Sequence, residues 1–508
     1  MFAAVFTRAA IGIQAPQVMV EVHASNGLPA LSIVGLPEAS VRESKERVRS
    51  ALINSGFQLP PKRITVNLAP ADLPKSGGRY DLAIAIGILL ATGQLDADVS
   101  RLEFLGELGL NGEIRAVPGV LPAVLQAEDK GLVVPYANLQ EAGLVLNDPQ
   151  RSLHGQQLLG AKSLLEVVAF LLAKGTLHPA EPLLNDEVGY MHDLADVVGQ
   201  SQAKRVLEVS ASGGHSILMV GPPGAGKSML AQRLVSLLPN LNWEQASELA
   251  AVQSVAGQAF NPQRCLQRPF VAPHHTASSA SMVGGGSVPR PGAISLAHHG
   301  VLFLDELPEF ARPVLEALRE PLENRQVAVS RVNGQIIFPA KFLLVAAMNP
   351  SPSGYFPDDP LGRCKDTPDQ ISRYLRKISG PLLDRIDLHL EIPPVDIQAL
   401  QREPSHRGES SAQVRERVAR MHALQFARQG CLNSELSPAE LQQLAVLDEP
   451  SKDLLSKASE KMGISARSYH RILRVARTLA DMSGDDAVKV EHLAEAIGYR
   501  GFDRQGLV

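Results

Sequence analysis

The sequence predicts a multidomain α/β protein: an α+β unit at the amino terminus, a parallel-sheet α/β core, and an all-α carboxyl-terminal region. Three observations carry this. The chain has 508 residues, more than one hydrophobic core usually serves, so two or three units are expected. In its middle the apolar run Ser216-Ile217-Leu218-Met219-Val220 enters a glycine-rich loop and then a helix-friendly stretch from Met229 to Leu238, the strand, loop and helix of a parallel sheet. Beyond Ile392-Pro393-Pro394 the pattern changes to charged, helix-friendly segments, Gln398 to Gln429 and Ser451 to Met482.

Composition narrows the class. A chain 45% hydrophobic and 20% charged is an ordinary soluble protein, neither disordered nor membrane-embedded. The formal charge of −4 argues against a surface that coats nucleic acid as a whole and leaves room for a local basic stripe. Cys265, Cys364 and Cys431 are too few and too scattered for a disulfide framework, and Arg8 interrupts the mildly apolar start. No signal peptide or membrane association is therefore expected, and the cytoplasm is the expected compartment.

Along the first part of the chain, Val18, Val20 and Val22 alternate as a half-buried strand does. Gly27 breaks the pattern before Leu31 and Ile33, which reads as a hairpin. Ser40 to Ser55 places Val41, Val48, Ala51 and Leu52 on one helical face, and Gly56 follows at the natural stop. A strand through Ile64, Val66 and Leu68 comes next, then a mostly buried helix from Tyr80 to Thr92. Asn111-Gly112 between apolar arms is a two-residue hairpin signal, because both residues tolerate positive φ. These elements make residues 1–173 the amino-terminal unit. Residues 174–192, with glycine, prolines and charges but no periodicity, are the linker. Residues 193–394 form the core and 395–508 the helical region.

The core carries the chemistry. Gly221-Pro222-Pro223-Gly224-Ala225-Gly226-Lys227-Ser228 is a P-loop in its confirming context, after a strand and before a helix. Its glycines let backbone N–H groups close around phosphate, Lys227 neutralises the β and γ groups, and Ser228 is placed for Mg²⁺. ATP and Mg²⁺ are thus the expected ligands. Val301 to Leu304 is a buried strand ending in Asp305 and Glu306. Asp305 would join the Mg²⁺ shell and Glu306 would orient or deprotonate the attacking water. Phe342 to Ala346 is a further core strand that delivers Asn349, a partner for the γ-phosphate or water, or simply part of an Asn-Pro turn.

The interval from Lys227 to Asp305 is longer than one helix and one strand need. Ser278 to Gly292, with three consecutive glycines and Arg290, is a flexible-loop candidate within it. Gln326 to Phe338 reads as strand, Val332-Asn333-Gly334 turn and strand, placing Arg331 and Asn333 at a protruding tip. Arg331, Asn333 and Arg290 are the candidate DNA contacts, through phosphate rather than base edges, with a solvated tip as the alternative. His274-His275 and His298-His299 lack a carboxylate or cysteine at ligand spacing, so packing or loop roles are expected for them rather than a metal.

In this order, GPPGAGKS, VLFLDELPEF, LENRQVAVSR, LLVAAMNP and ISGPLLDRIDL resemble the magnesium-chelatase-like AAA+ group, and most closely its competence protein ComM (YifB-like) family, over essentially the whole chain. The resemblance implies a P-loop AAA+ core with an all-α lid. Asn349 looks like the sensor-one residue, Arg385 like the arginine finger and Arg467 in Ser465-Ala466-Arg467 like sensor two. The alternatives are an ion pair of Arg385 with Asp384 or Asp387, and a solvated face shared by Arg467, Arg471 and Arg474. It further implies a homo-hexameric ATPase that moves single-stranded or branched DNA, with branch migration in homologous recombination or natural transformation as its task and recombination proteins as partners. A chelatase-type motor acting through a partner subunit is the alternative. PKSGGRYDLAIAIG and GEIRAVPGVLPAVL resemble the Lon-protease fold, but Arg79, Tyr80 and Asp81 stand where the serine nucleophile belongs and Leu121 where the lysine belongs, so that domain is expected to be catalytically inactive. Many relatives carry two C-x-C pairs at a zinc site; Ser351, Ser353, Cys364 and Asp366 stand there in this chain, and no zinc is expected.

Overall fold

Alternating apolar residues build the amino-terminal sheet. The computed structural model describes residues 1–35, 39–127, 129–149, 157–184, 189–286, 289–331, 334–355, 362–394 and 408–501. Strands β1 (Phe2–Arg8), β2 (Gln17–Ser25), β3 (Ala30–Val34), β4 (Arg63–Ala69) and β5 (Leu102–Phe104) come first, followed by the small hairpin β6 (Glu107–Leu108) and β7 (Ile114–Arg115). Strands β8 (Gly131–Pro135), β9 (Leu158–Ala161) and β10 (His178–Pro179) complete the set. Among the described residues the large sheet has eight strands in the order β10-β9-β8-β5-β1-β2-β4-β3.

Two sequence expectations are corrected here. β2 and β3 do not form a hairpin: β4 lies between them, antiparallel to β2 and parallel to β3. The helix Ala39–Asn54 supplies the crossover that a parallel β3–β4 pair requires; periodicity fixes a strand's faces and leaves its partner open. The Asn111-Gly112 turn is longer than two residues. The Gly109 amide donates to the Glu113 carbonyl at 2.9 Å, while Asn111 Oδ1 accepts from the Glu113 amide at 3.1 Å, so the asparagine serves a side-chain turn. Within the expected linker, His178–Pro179 adds an edge strand to β9, a length too short to show any periodicity.

The helix Asp81–Ala91 is buried almost all round. A Cβ at Gly87 would stand 2.7 Å from Val22 Cγ2, so glycine permits the close seat on β2. Asp81 is fully buried, and burial raises its carboxyl while Arg47, whose Nε donates to it at 2.8 Å, opposes that. This unit docks on the core through an apolar contact: Val120, Leu121 and Val124 share a cluster with Ala250 and Ala251 of the helix Trp243–Ala256. The Gly119 amide also donates to Ser254 Oγ at 2.9 Å.

The central sheet is parallel. Its strands are β11 (Ile217–Val220), β12 (Phe270–Val271), β15 (Val301–Leu304), β18 (Leu343–Met348) and β19 (Leu388–Glu391), and the ribbons β13 (Gly284–Gly285) with β14 (Arg290–Pro291) and β16 (Gln326–Arg331) with β17 (Gly334–Pro339) lie outside it. The strand order is β12-β15-β18-β11-β19. Successive residues point to opposite faces: Ile217, Met219, Val301, Phe303, Val345 and Leu388 enter one core with the helices Ser201–Gly213 and Lys227–Leu237. Leu218, Val220, Leu302, Leu304, Leu344 and Ala346 enter the other with Met282, Val327 and Phe338. Both faces are covered, which is why these strands read as unbroken apolar runs.

The carboxyl-terminal region is helical: Ser411–Gln429, Pro438–Leu444, Glu449–Met462, Ala466–Ser483 and Val490–Gly498. The expected segment from Ser451 to Met482 is two helices parted at Gly463. The start of the expected Gln398–Gln429 helix lies outside the described residues. Among the described residues no helix is long and apolar enough to cross a membrane.

His422 couples this region to acid. Its Nε2 donates to the Ala211 carbonyl at 2.8 Å, and burial pulls its pKa down to about 4. The unfolded imidazole, titrating at its ordinary 6.5, takes up the proton first. Stability should therefore fall as pH drops from about 6.5 to about 4 and level off below, by roughly 3 kcal/mol at most. Denaturant unfolding at pH 7 and 5 should show that slope, and His422→Gln, which keeps a donor for Ala211, should flatten it.

Candidate functional site

The carboxyl edge of the central sheet collects the sequence-predicted site. β11 ends at Val220, and the loop Gly221–Gly226 turns into the helix that begins at Lys227. Gly224 and Gly226 have φ of +78° and +87°, a region that only glycine enters at no steric cost. Gln200 Nε2 braces the loop by donating to the Ala225 carbonyl at 2.8 Å. Gly221 packs so tightly that an added Cβ would meet the Ile392 carbonyl at 2.4 Å. Pro222 is buried and Pro223 exposed between them.

Lys227 is buried within this loop. Its Nζ donates to the carbonyls of Gly221 at 2.6 Å and Pro222 at 3.0 Å and to Asn349 Oδ1 at 3.0 Å. Burial lowers its pKa, and the charges of Asp305 and Glu306 oppose that shift. Ser228 Oγ donates to Asp305 Oδ2 at 2.7 Å. A hydroxyl and a carboxylate side by side are the hard oxygen donors that Mg²⁺ takes, so these residues fit that ion. Asp305 Oδ1 in turn accepts from the Glu306 amide at 3.0 Å.

Glu306 has φ of +53°, a left-handed conformation that costs a non-glycine residue about 1 kcal/mol or more and that clusters at functional sites. Its carboxylate meets His275 Nδ1 at 3.1 Å. His275 is a residue whose place here sequence reading missed. Nothing in its spacing shows the contact, because the polypeptide between the P-loop and β15 folds back to bring it. Burial pushes the nearby Tyr374 phenol up to about 12, so it stays protonated beside Asn349.

Arg385 and Arg467 lie elsewhere. Ser216, at the start of β11, donates through Oγ to the Arg385 carbonyl at 3.2 Å. β11 has four residues, so at about 3.3 Å per residue roughly 13 Å of strand separates the Arg385 carbonyl from its own P-loop. The guanidinium is buried, donating to the Pro381 carbonyl at 2.6 Å and to the Glu323 carboxylate. Its partner is thus Glu323 rather than Asp384 or Asp387; Asp387 is paired with Arg471. Arg467 is exposed and lines, with Arg385, a cavity of about 450 Å³ that also receives Arg471 and Arg474. The structure therefore brings Gly221 to Ser228, Asp305, Glu306 and Asn349 together and sets the two arginines apart.

Of the candidate DNA contacts, Arg290 is exposed on β14, where it pairs with Gly285. Arg331 closes β16 opposite Gly334, and Asn333 lies outside the described residues. The two ribbons are neighbours, since a Cβ on Gly284 would sit 3.4 Å from Val329 Cγ2. Ser351, Ser353, Cys364 and Asp366 also come together: Ser351 and Ser353 hydroxyls are 3.1 Å apart, and the Ser353 amide donates to Asp366 at 2.8 Å.

The second histidine pair has a carboxylate after all. Glu248, His298 and His299 place their polar atoms within 4.8 Å of one another, the acid arriving from the helix Trp243–Ala256. Hydrogen bonding assigns the rings. His298 Nδ1 accepts from the Lys341 amide at 3.0 Å, so the neutral imidazole carries its proton on Nε2, facing Glu248 at 3.2 Å. A metal-ligating histidine donates from its other nitrogen; His298 accepts there, and the cluster is a hydrogen-bonded clamp.

The geometry of the cation site is testable. Ser228→Ala and Asp305→Asn should each raise the Mg²⁺ concentration needed for nucleotide binding by about tenfold, the loss of about 1.4 kcal/mol for one ligand; Mg²⁺ titrations followed with a fluorescent ATP analogue measure it.

Comparison with known proteins agrees with this architecture. The family model described as magnesium chelatase, subunit ChlI, matches residues 193–400, that described as subunit ChlI of Mg-chelatase matches 20–138, and the ChlI C-terminal model matches 408–500. Competence protein ComM of Haemophilus influenzae is 48% identical over 510 residues, covering 99% of this chain and 98% of that protein. The uncharacterized protein YifB of Escherichia coli is 48% identical over 505 residues, covering 98% and 97%. Lon protease 2 of Bacillus subtilis is 29% identical over 180 residues, covering 31% of this chain and 33% of that protein. With matches that span its length and a nucleotide-type loop at the sheet edge, the chain belongs to the magnesium-chelatase-like family of ComM and YifB.

Proposed function

We propose that the protein is an ATP-driven DNA motor that works in the cytoplasm as a homo-hexamer and promotes branch migration in homologous recombination or natural transformation. The observation that carries this reading is the separation of Lys227 from Arg385 by the length of β11. A finger that cannot reach its own phosphates serves a neighbour's, so hydrolysis requires a ring. The name of the ComM relative, a competence protein, points to DNA uptake, and the adjacent ribbons carrying Arg290 and Arg331 supply cationic contacts for a strand's phosphates.

The residues divide the work. Lys227 exchanges the Gly221 and Pro222 carbonyls for phosphate oxygens, and the loop amides and helix terminus hold the same group. Ser228 and Asp305 would hold Mg²⁺, which would supply charge neutralisation. Glu306, its carboxylate steered by His275, orients or deprotonates the water. Asn349 aligns the Lys227 ammonium and contacts the γ-phosphate or water. Arg385 and Arg467 of one subunit bring positive charge to the next subunit's transition state. The Lon-like amino-terminal domain serves as a docking module; Arg79, Tyr80, Asp81 and Leu121 are buried and form no serine–lysine pair. Partners on this reading are single-stranded or branched DNA and recombination proteins.

The family-model matches favour a second reading, a chelatase-type motor that drives metal insertion or protein remodelling through a partner subunit. Steady-state ATPase measurements with single-stranded, duplex and four-way-junction DNA separate the two. Stimulation, strongest with single-stranded or branched forms, is expected; robust turnover indifferent to every DNA would favour the chelatase type. Lys227→Ala should lose ATP binding. Arg385→Ala should bind ATP normally yet hydrolyse it about a thousandfold more slowly, and mixing the two inactive variants should restore part of the turnover if the finger acts across subunits.

A further inference from the structure

Both feet of the β16–β17 hairpin end on one carboxylate of the carboxyl-terminal region. Arg325, the residue before β16, reaches Glu435 Oε2 at 2.7 Å, and Lys341, two residues beyond β17, reaches Glu435 Oε1 at 3.0 Å. Between them the Ala340 amide donates to the Arg325 carbonyl at 2.8 Å, so the base of the hairpin is closed at the acid. The Glu435 side chain is only 10% exposed, which strengthens an ion pair relative to one in water.

Glu435 is fixed from the other side by the helix Ala466–Ser483. Arg474 Nε donates to the carbonyl of the adjoining Leu436 at 2.9 Å. Asn433 Nδ2 donates to Asp481 Oδ2 at 2.7 Å and to Thr478 Oγ1 at 3.1 Å. The same helix carries Arg467 at its start and Arg471, which pairs with Asp387 at the foot of β11. Lys341 is also gripped by its backbone, through His298 Nδ1 and the His299 amide, and both rings rest on Glu248. Apolar contacts of Val327, Val329 and Phe338 seat the hairpin on the core, but such contacts are non-directional and allow sliding; the charges at the base set its register.

We infer that Glu435 is a positioning residue through which the helix bearing Arg467 steers the β16–β17 hairpin, so that the hairpin of one subunit follows the nucleotide bound by its neighbour. The inference rests on the motor reading above for the role of Arg467 and of the ring. It gives the His298-His299 pair a purpose, as the second anchor of the same hairpin foot. It also requires no contact between Glu435 and nucleotide or DNA.

Hydrogen–deuterium exchange on the full-length protein tests it, with and without a non-hydrolysable ATP analogue and with no DNA present. In the wild type, nucleotide should change the exchange rates of the β16 and β17 amides by about threefold or more, alongside protection of the P-loop. In Glu435→Gln, and in the paired variant Arg325→Gln/Lys341→Gln, P-loop protection should persist while the hairpin response disappears. A hairpin response undiminished in both variants, or absent from the wild type, would overturn the coupling. Simultaneous loss of P-loop protection in both variants would overturn it in favour of a general structural role. A wild type without P-loop protection would overturn the nucleotide reading, and the coupling with it.

Discussion

Strand β11 is the constraint on which the rest of the site depends. Its four residues are buried between β18 and β19, with alternate side chains committed to two different cores. That burial fixes where the chain emerges, and the emerging Gly221 packs so closely against Ile392 that a Cβ would not fit there. Because all the neighbouring strands run parallel, the acids after β15 and the asparagine after β18 arrive at the same edge. The opposite edge receives Arg385 and Asp387. One short apolar strand thus decides both what meets at the carboxyl edge and what is kept away from it.

Each edge of the sheet holds a buried cation. At the carboxyl edge, Lys227 is desolvated and satisfied by carbonyls and Asn349, with Asp305 and Glu306 holding its charge in place. At the amino edge, Arg385 is covered by Glu323, while Arg467 stands exposed at the rim of a cation-rich cavity. Lys227 and Arg385 are thus each satisfied by partners within the same chain.

The outer elements are tied to this framework by few, specific polar contacts laid over apolar seats. The amino-terminal sheet rests on the helix Trp243–Ala256, whose Glu248 gathers His298 and His299. Those histidines hold Lys341, and Lys341 meets the carboxyl-terminal helices at Glu435. The three parts of the molecule consequently converge at the base of one hairpin, near residues that sequence inspection could describe only as a histidine pair and a turn.

What the sequence determined by itself is whatever depends on residues close together in the chain. The P-loop, the strand ending in Asp305-Glu306 and the helical tail are local patterns, since steric demands at Gly224 and Gly226 and apolar runs in covered strands leave direct marks in composition and order. The buried helix at Asp81–Ala91 was legible for the same reason. Partnership was not. The insertion of β4 between β2 and β3, the contact of His275 with Glu306, the cover of Glu323 over Arg385 and the meeting of Arg325 with Lys341 on Glu435 join residues far apart in the chain. Only the tertiary structure decided them, because a strand's periodicity fixes which face is buried but not which neighbour it meets, and a charge acquires its partner from the packing of the elements that carry it.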